Sequence, residues 1–184
     1  MKLRLLAAVA LAACSCQATA YRGRDQAGRE LVVLSRCGEE FVRVDGEEHA
    51  SFRSIDRSTL TSSEGQLIYV AADEDGSFIV REGRVVAGPF AAIARLERLS
   101  SSAFAAVEVA EGRARVHIVG PGETLHHAWY DAILEDSLLA TPTGGSAYVA
   151  QLGGKDCVVV DGRLDRCFDG VSALTVTRSQ IAYL

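Results

Sequence analysis

The 184-residue sequence predicts an all-β fold made of about four repeats of roughly 40 residues. Three recurring features predict it. Each repeat has an apolar run that ends at a turn glycine, then an aromatic residue followed three positions later by Ile or Val, and then a second strand-like run. The aromatic residues stand 38, 40 and 38 positions apart. Self-similarity at this period is typical of propellers and solenoids rather than of a domain with a single core.

The apolar runs and their turns come first in each repeat. An apolar run that leads into Asp-Gly or a similar pair predicts a strand followed by a tight hairpin turn. The runs are 41–44, 78–80, 116–119 and 157–160. Their turn glycines are Gly46, Gly83, Gly162 and, in the third repeat, Gly120 or Gly122.

The recurring aromatic residues follow the turns, at Phe52, Phe90, Tyr130 and Phe168. Such rings also line ligand-binding surfaces, but their presence in every repeat favours packing between neighbouring sheets. Burying one ring is worth about 1.5–3 kcal/mol. We therefore predict that these four side chains form the core of the repeats.

The strand-like runs close each repeat, at 67–71, 104–107, 147–150 and 181–184. Four short strands per repeat is the blade pattern of a β-propeller, so the predicted fold is a small β-propeller-like array. Residues 90–99 and 129–138 carry helical spacing of apolar residues. Their counterparts in the other repeats lack this spacing, and we therefore predict strands there rather than amphipathic helices.

The last repeat resembles those of bacterial TolB-like and related WD40-like β-propellers. The Asp161-Gly162 turn and the Ala182-Tyr183 strand match that repeat. Residues 177–180 (Thr-Arg-Ser-Gln) stand where the family has a Ser-Pro-Asp-Gly turn. The resemblance extends in degenerate form over residues 31–184, and it implies a propeller architecture but no particular activity.

The two ends of the array decide whether it closes into a ring. Residues 172–184 begin a further repeat, and residues 31–55 carry the strands that this repeat lacks. We expect the two segments to pair and to close the ring by a split blade, because exposed strand edges invite aggregation. The alternative is an open array that dimerises.

The N-terminus has the pattern of an export signal. Lys2 and Arg4 precede a short apolar stretch, which ends in Leu11-Ala12-Ala13-Cys14. This tetrapeptide resembles the lipobox of bacterial lipoproteins. The resemblance implies cleavage before Cys14, a diacylglycerol thioether on its sulfur, and usually an acyl chain such as palmitate on its amine. The alternative is a secretory signal with an incidental cysteine.

The predicted domain organisation follows from this signal. Residues 1–13 are the lipoprotein signal peptide, residues 14–29 are the lipidated cysteine and a polar tether, and residues 30–184 are the repeat domain. Cleavage would change the formal charge from −5 to −7 by removing Lys2 and Arg4. An acidic body disfavours nucleic acid and anionic headgroups as partners, so the membrane partner is reached through the acyl chains. We expect a bacterial cell-envelope protein that faces the periplasm or the exterior.

An exported chain lies in a compartment that permits disulfides. Cys157 and Cys167 flank the turn at Asp161-Gly162. A three-residue loop would pair residue 160 with 164 and therefore 157 with 167, so we predict a disulfide between these two cysteines. The alternative is two buried thiols. By elimination, the other candidate pair is Cys16 and Cys37.

The ionisable residues show no recognisable catalytic or metal-binding motif. His126-His127, near Asp131, comes closest to a metal or acid–base pattern. Adjacent residues on a strand point to opposite faces, and we therefore expect a solvated loop pair. Residues 73–76 (Asp-Glu-Asp-Gly) are expected to form a turn rather than a calcium loop. The sequence thus predicts no catalytic residue, no metal ligand and no cofactor.

Two functional hypotheses follow. The first is a membrane-anchored, non-catalytic binding module that presents the loops of a small propeller to an unknown protein or glycan partner. The alternative is a propeller-type hydrolase or lyase with its site at the central channel.

Overall fold

The computed structural model describes residues 17–25, 27–178 and 180–184. Within these ranges every regular element is a β-strand, and every strand pairing is antiparallel. The all-β prediction is therefore confirmed. No helix in the described part of the chain is long and apolar enough to cross a membrane.

The first two sheets are four-stranded meanders, in which each strand pairs with the next along the chain. The first sheet contains β1 (Gln17–Arg24), β2 (Glu30–Arg36), β3 (Glu39–Val44) and β4 (Glu47–Phe52). The second sheet contains β5 (Ser54–Ser63), β6 (Gln66–Asp73), β7 (Gly76–Arg81) and β8 (Arg84–Phe90).

The third and fourth sheets repeat this pattern. The third contains β9 (Ile93–Arg98), β10 (Phe104–Ala110), β11 (Arg113–Val119) and β12 (Thr124–His126). The fourth contains β13 (Ala132–Ile133), β14 (Leu139–Ala140), β15 (Ser146–Leu152), β16 (Lys155–Val160) and β17 (Arg163–Phe168), and both β13 and β14 pair with β15. A C-terminal hairpin of β18 (Leu174–Val176) and β19 (Ile181–Tyr183) follows.

Two-residue turns with positive φ at both positions join many of these strands. Asp161 and Gly162, for example, have φ values of 48° and 77°. Such turns match the right-handed twist of the flanking strands, and glycine is favoured at the second position because it has no Cβ to clash. Within the described residues the same geometry occurs at 37–38, 45–46, 64–65, 82–83, 111–112 and 153–154.

In the described chain, three apolar layers lie between consecutive sheets, and a smaller apolar cluster of Val32, Leu34 and Phe41 lies on the other face of the first sheet. The first and second sheets enclose a layer that includes Val33 and Tyr69. The second and third enclose a layer around Phe90 and Phe104, and the third and fourth enclose one around Tyr148. Each sheet therefore packs face to face on the next one along the chain, as consecutive repeats do in a repeat protein.

Strand β1 lies in the segment that the sequence predicts as a polar tether. Residues 17–24 pair with β2 from end to end, with one bulge between Thr19 and Tyr21. The outer edge of β2 carries backbone N–H and C=O groups that need partners beside its buried residues 31–34, and β1 supplies them. Nearly all side chains of β1 are exposed, so no apolar alternation marks it in the sequence.

The strand prediction is confirmed for the first window with helical spacing, and the second window forms no helix but is mostly irregular. Residues 93–98 form β9, and the second window contains only the two-residue strand β13 and extended or turn segments. The residues on either side of β13 form backbone hydrogen bonds to the third and fourth sheets. The Tyr130 N–H, for example, donates to the Ala114 carbonyl oxygen at 2.8 Å. These long-range bonds outweigh the local alanine-rich helix propensity.

The C-terminal hairpin does not make the predicted split blade. Within the described residues, β18 and β19 pair with each other and with no strand of the first sheet. The physical reason is β1, which already occupies the edge of the first sheet that the C-terminal strands would have joined.

Candidate functional site

The four recurring aromatic residues lie at equivalent places. Phe52, Phe90 and Tyr130 are buried and belong to the three apolar layers. Phe168 is half-buried, and its ring centroid lies 5.2 Å from that of Tyr183 in the C-terminal hairpin. The first three rings pack against a complete following sheet, whereas Phe168 meets only two strands.

The predicted disulfide between Cys157 and Cys167 is confirmed. The register that led to it is different, because the turn has two residues and pairs Val160 with Arg163. A bulge in β17 then shifts the pairing by one residue, which restores Cys157 opposite Cys167. The predicted three-residue loop is therefore replaced by a shorter loop and a bulge.

The remaining cysteines are only partly described. Cys37 is disulfide-bonded. Its predicted partner Cys16, the predicted lipidation site Cys14 and the predicted signal peptide 1–13 lie outside the described residues.

His126 and His127 point to opposite faces, as predicted, but neither is a free loop side chain. His127 Nδ1 lies 3.0 Å from the hydroxyl of Tyr148, and the two rings stack at 5.8 Å. His126 Nδ1 lies 2.6 Å from Nδ1 of His117. The expectation of a solvated pair therefore holds for His126, which is exposed, but not for His127, which is half-buried against Tyr148.

The contact between His117 and His126 belongs to a polar cluster in which Glu108 and His117 are buried. Glu108, on β10, accepts hydrogen bonds from the Ala91 N–H at 2.9 Å and from Arg115 Nε at 2.7 Å. The Glu108 oxygen that meets Arg115 also lies 2.8 Å from His117 Nε2. We call Glu108, Arg115, His117 and His126 the third-sheet polar cluster.

The register of the third sheet brings the two imidazoles together. His117 on β11 stands directly opposite His126 on β12. The neighbouring pair, Val116 and His127, is joined by a backbone hydrogen bond. Because such pairs alternate, the two histidines occupy a non-hydrogen-bonded pair, in which side chains approach most closely.

The protonation state follows from these partners. An ionised carboxylate can only accept, so His117 donates from Nε2 to Glu108 and its Nδ1 carries a lone pair. His126 Nδ1 then donates to His117 Nδ1. Burial lowers the pKa of His117 to about 4, against the opposing effect of Glu108. Burial raises the pKa of Glu108, but the Ala91 N–H and Arg115 outweigh it and leave that pKa below its ordinary value.

Comparison among the repeats shows what sequence analysis missed. His117 stands opposite Ala106 in its sheet and is fully buried. His117 faces the preceding sheet, and the residues on that face of the second and fourth sheets are buried valines: Val80 opposite Tyr69, and Val159 opposite Tyr148. A histidine at a position where two other sheets have Val was the available signal.

Two clefts lie beside the fourth sheet. One of about 940 Å³ separates it from the C-terminal hairpin. It is lined by apolar residues such as Val160, Leu164 and Ile181 and by polar ones, among them Asp161, Arg163, Asp165, Arg178 and Tyr183. We call it the hairpin cleft. Tyr183 donates a hydrogen bond to Asp165 across it at 3.1 Å. A smaller, more apolar cleft of about 400 Å³ lies between the third and fourth sheets.

Fold and site together define an all-β protein of consecutively packed meander sheets. No protein-family model matches the chain, and no curated protein matches it. Among solved structures, the crystal structure of TolB from Acinetobacter baumannii is similar over 78% of this chain and 41% of its own chain, with 17% sequence identity and a TM-score of 0.45. The chain thus spans 41% of the length of that protein.

Proposed function

We propose that the protein is a lipid-anchored, non-catalytic binding module of the bacterial cell envelope that holds a polar protein or glycan partner in the hairpin cleft. The single observation that carries the binding role is the shape and lining of this cleft. Its volume of about 940 Å³ is at the upper end for ligand sites, which suits a loop or an oligosaccharide. Arg163 and Asp165 supply both signs of charge, and Tyr183 supplies a flat ring with a hydroxyl.

The array is proposed to be propeller-like. In this proposal the C-terminal hairpin takes the place of the first two strands of a fifth sheet, since it follows the fourth sheet as β9 and β10 follow the second. The half-built sheet leaves a gap beside β16 and β17, and that gap is the hairpin cleft. Strands of a partner would therefore find both a cleft and an open sheet edge at the same place.

The membrane anchor is proposed to be Cys14, as the lipobox resemblance implies. If Cys14 is the first residue after cleavage, only Ser15 and Cys16 separate it from the start of β1 at Gln17. An acylated Cys14 would then hold the sheets directly at the bilayer surface rather than on a tether. Replacing Cys14 with Ala should release the protein from membranes or leave its precursor uncleaved. A variant that fractionates and migrates like the wild type would contradict the anchor.

The binding role is tested by capture from detergent-solubilised envelopes with the full chain as bait. Reversing one cleft charge, with Arg163→Glu, should remove a stoichiometric partner. Arg84→Glu makes the same charge change at an exposed position of the second sheet and should leave capture unchanged. If both variants, or neither, lose the partner, the hairpin cleft is not the binding site.

A further inference from the structure

We propose that His117 and His126 form a binding site for a divalent transition-metal ion, with Glu108 holding one of the two imidazoles in place. Both Nδ1 atoms face each other at 2.6 Å across the non-hydrogen-bonded pair of β11 and β12. This site is independent of the hairpin cleft, which lies on the other side of the fourth sheet.

The distance between the two nitrogens suits a metal after a small movement. Two imidazoles on one tetrahedral ion at about 2.0–2.1 Å place their nitrogens about 3.3 Å apart. The two nitrogens must therefore move apart by about 0.7 Å. His126 can provide this movement because it lies exposed on the short outer strand β12, whereas His117 is fully buried.

Glu108 gives the site the usual supporting contact of a metal-binding histidine. Metal-ligating imidazoles commonly donate their other N–H to a carboxylate, which fixes the ring and its tautomer. Glu108 accepts that bond from His117 Nε2 at 2.8 Å. It is itself fixed by Arg115 and by the Ala91 N–H. The lone pair of His117 Nδ1 is thus aimed at His126 before any ion arrives.

The exchange of proton for metal balances. In the metal-free protein the His126 Nδ1–H lies between the two nitrogens. On binding, this proton leaves for solvent and another is taken up at His126 Nε2, so His126 changes tautomer and both rings remain neutral. The ion takes the place of the shared proton, and no net proton is released.

The chemistry of the donors selects the class of ion. Arg115 already balances the charge of Glu108, so the cluster offers no excess negative charge to attract Ca²⁺ or Mg²⁺. Neutral imidazoles favour Cu²⁺ and Zn²⁺, with Cu²⁺ bound more tightly. No group of three or more His, Cys, Asp or Glu side chains with metal-site geometry occurs in the described chain. Water therefore completes the coordination on the exposed side of His126.

The fold does not require a histidine at this place. Val80 and Val159 fill the corresponding buried positions of the second and fourth sheets. His117→Val therefore introduces the residue that two other sheets use there, and it removes one metal ligand with little change in packing volume.

The experiment titrates Cu²⁺ and, separately, Zn²⁺ into the tag-free full chain in detergent by isothermal calorimetry. Electron paramagnetic resonance of the copper-loaded protein provides the second readout. We expect one ion per chain, tighter binding of Cu²⁺ than of Zn²⁺, and a spectrum with two equivalent nitrogen ligands. Ca²⁺ should not bind at this site.

Four variants test the assignment of ligands. His126→Gln, at an exposed position, should abolish saturable binding, and His117→Val should do the same while keeping the wild-type circular dichroism spectrum. Glu108→Gln should weaken binding about 10–100-fold. His127→Gln is the matched control on the opposite face and should bind as the wild type does. Absence of saturable Cu²⁺ binding up to millimolar concentration, or binding that survives His126→Gln, would overturn the proposal.

Discussion

The disulfide between Cys157 and Cys167 should contribute measurably to stability. It closes a loop between residues ten positions apart. The loop-entropy relation for this length gives about 2.7 kcal/mol at 25 °C, from the reduced freedom of the unfolded chain. Cys157 is fully buried, so replacing both cysteines with Ala adds a small cavity term. We expect the double variant to lose about 3 kcal/mol of unfolding free energy.

The assay is urea denaturation followed by circular dichroism, with and without a phosphine reductant. Cys37 is also disulfide-bonded, so the reductant acts on more than one bridge. The double variant in reductant reports the effect of the other bridge alone, and subtraction isolates the contribution of Cys157–Cys167. If the reductant destabilises the wild type and the double variant equally, this bridge adds nothing and the loop-entropy reasoning is refuted.

Three further predictions concern acid, the core and the C-terminus. Acidification from about pH 6.5 to pH 4 should lower the unfolding free energy by on the order of 3 kcal/mol, because the unfolded chain protonates His117 near pH 6.5 and the folded one only near pH 4. Burial and the neighbouring Arg115 and His126 lower the pKa of His117, and Glu108 partly opposes them. His117→Val should flatten this slope in denaturation curves taken across the range. Phe90→Ala should lower the unfolding free energy by about 3–5 kcal/mol, and the equivalent Phe168→Ala by less than about 2 kcal/mol, because Phe90 is buried and Phe168 only half-buried. Equal losses in urea titrations would show that burial does not determine the stability that each ring contributes. Deletion of residues 172–184 should shift the melting temperature by only a few degrees, since the hairpin pairs with no other sheet in the described chain, and global unfolding on deletion would instead indicate ring closure.

Local turn chemistry made the hairpins predictable from sequence. Asp161-Gly162 and Glu82-Gly83 take positive φ at both positions, and such pairs mark hairpins without knowledge of the rest of the chain. Phe52 and Phe90 were also found from their spacing alone, because each sheet must bury a ring against the next. These features depend on a few neighbouring residues, and the sequence displays them directly.

Features that depend on distant partners were not predictable in the same way. The strand at 17–24 exists because the edge of β2 needs hydrogen bonds, and its exposed side chains carry no pattern. The bulge at Asp165 compensates for a turn that is one residue shorter than expected. The disulfide was therefore predicted correctly, although the predicted strand register was not. His117 was overlooked because its partners, Glu108 and His126, each stand nine residues away on neighbouring strands.

Each sheet is drawn from one uninterrupted stretch of chain, such as 17–52, 54–90 or 93–126. Strands therefore find their partners close in sequence, which gives a low contact order for an all-β protein and favours rapid folding. A sheet can form from its own stretch of chain alone, and the next sheet can then pack on its exposed apolar face. Folding can start in any one sheet and spread to its neighbours, and a lesion in one sheet would stop this spread at the interfaces on either side of it.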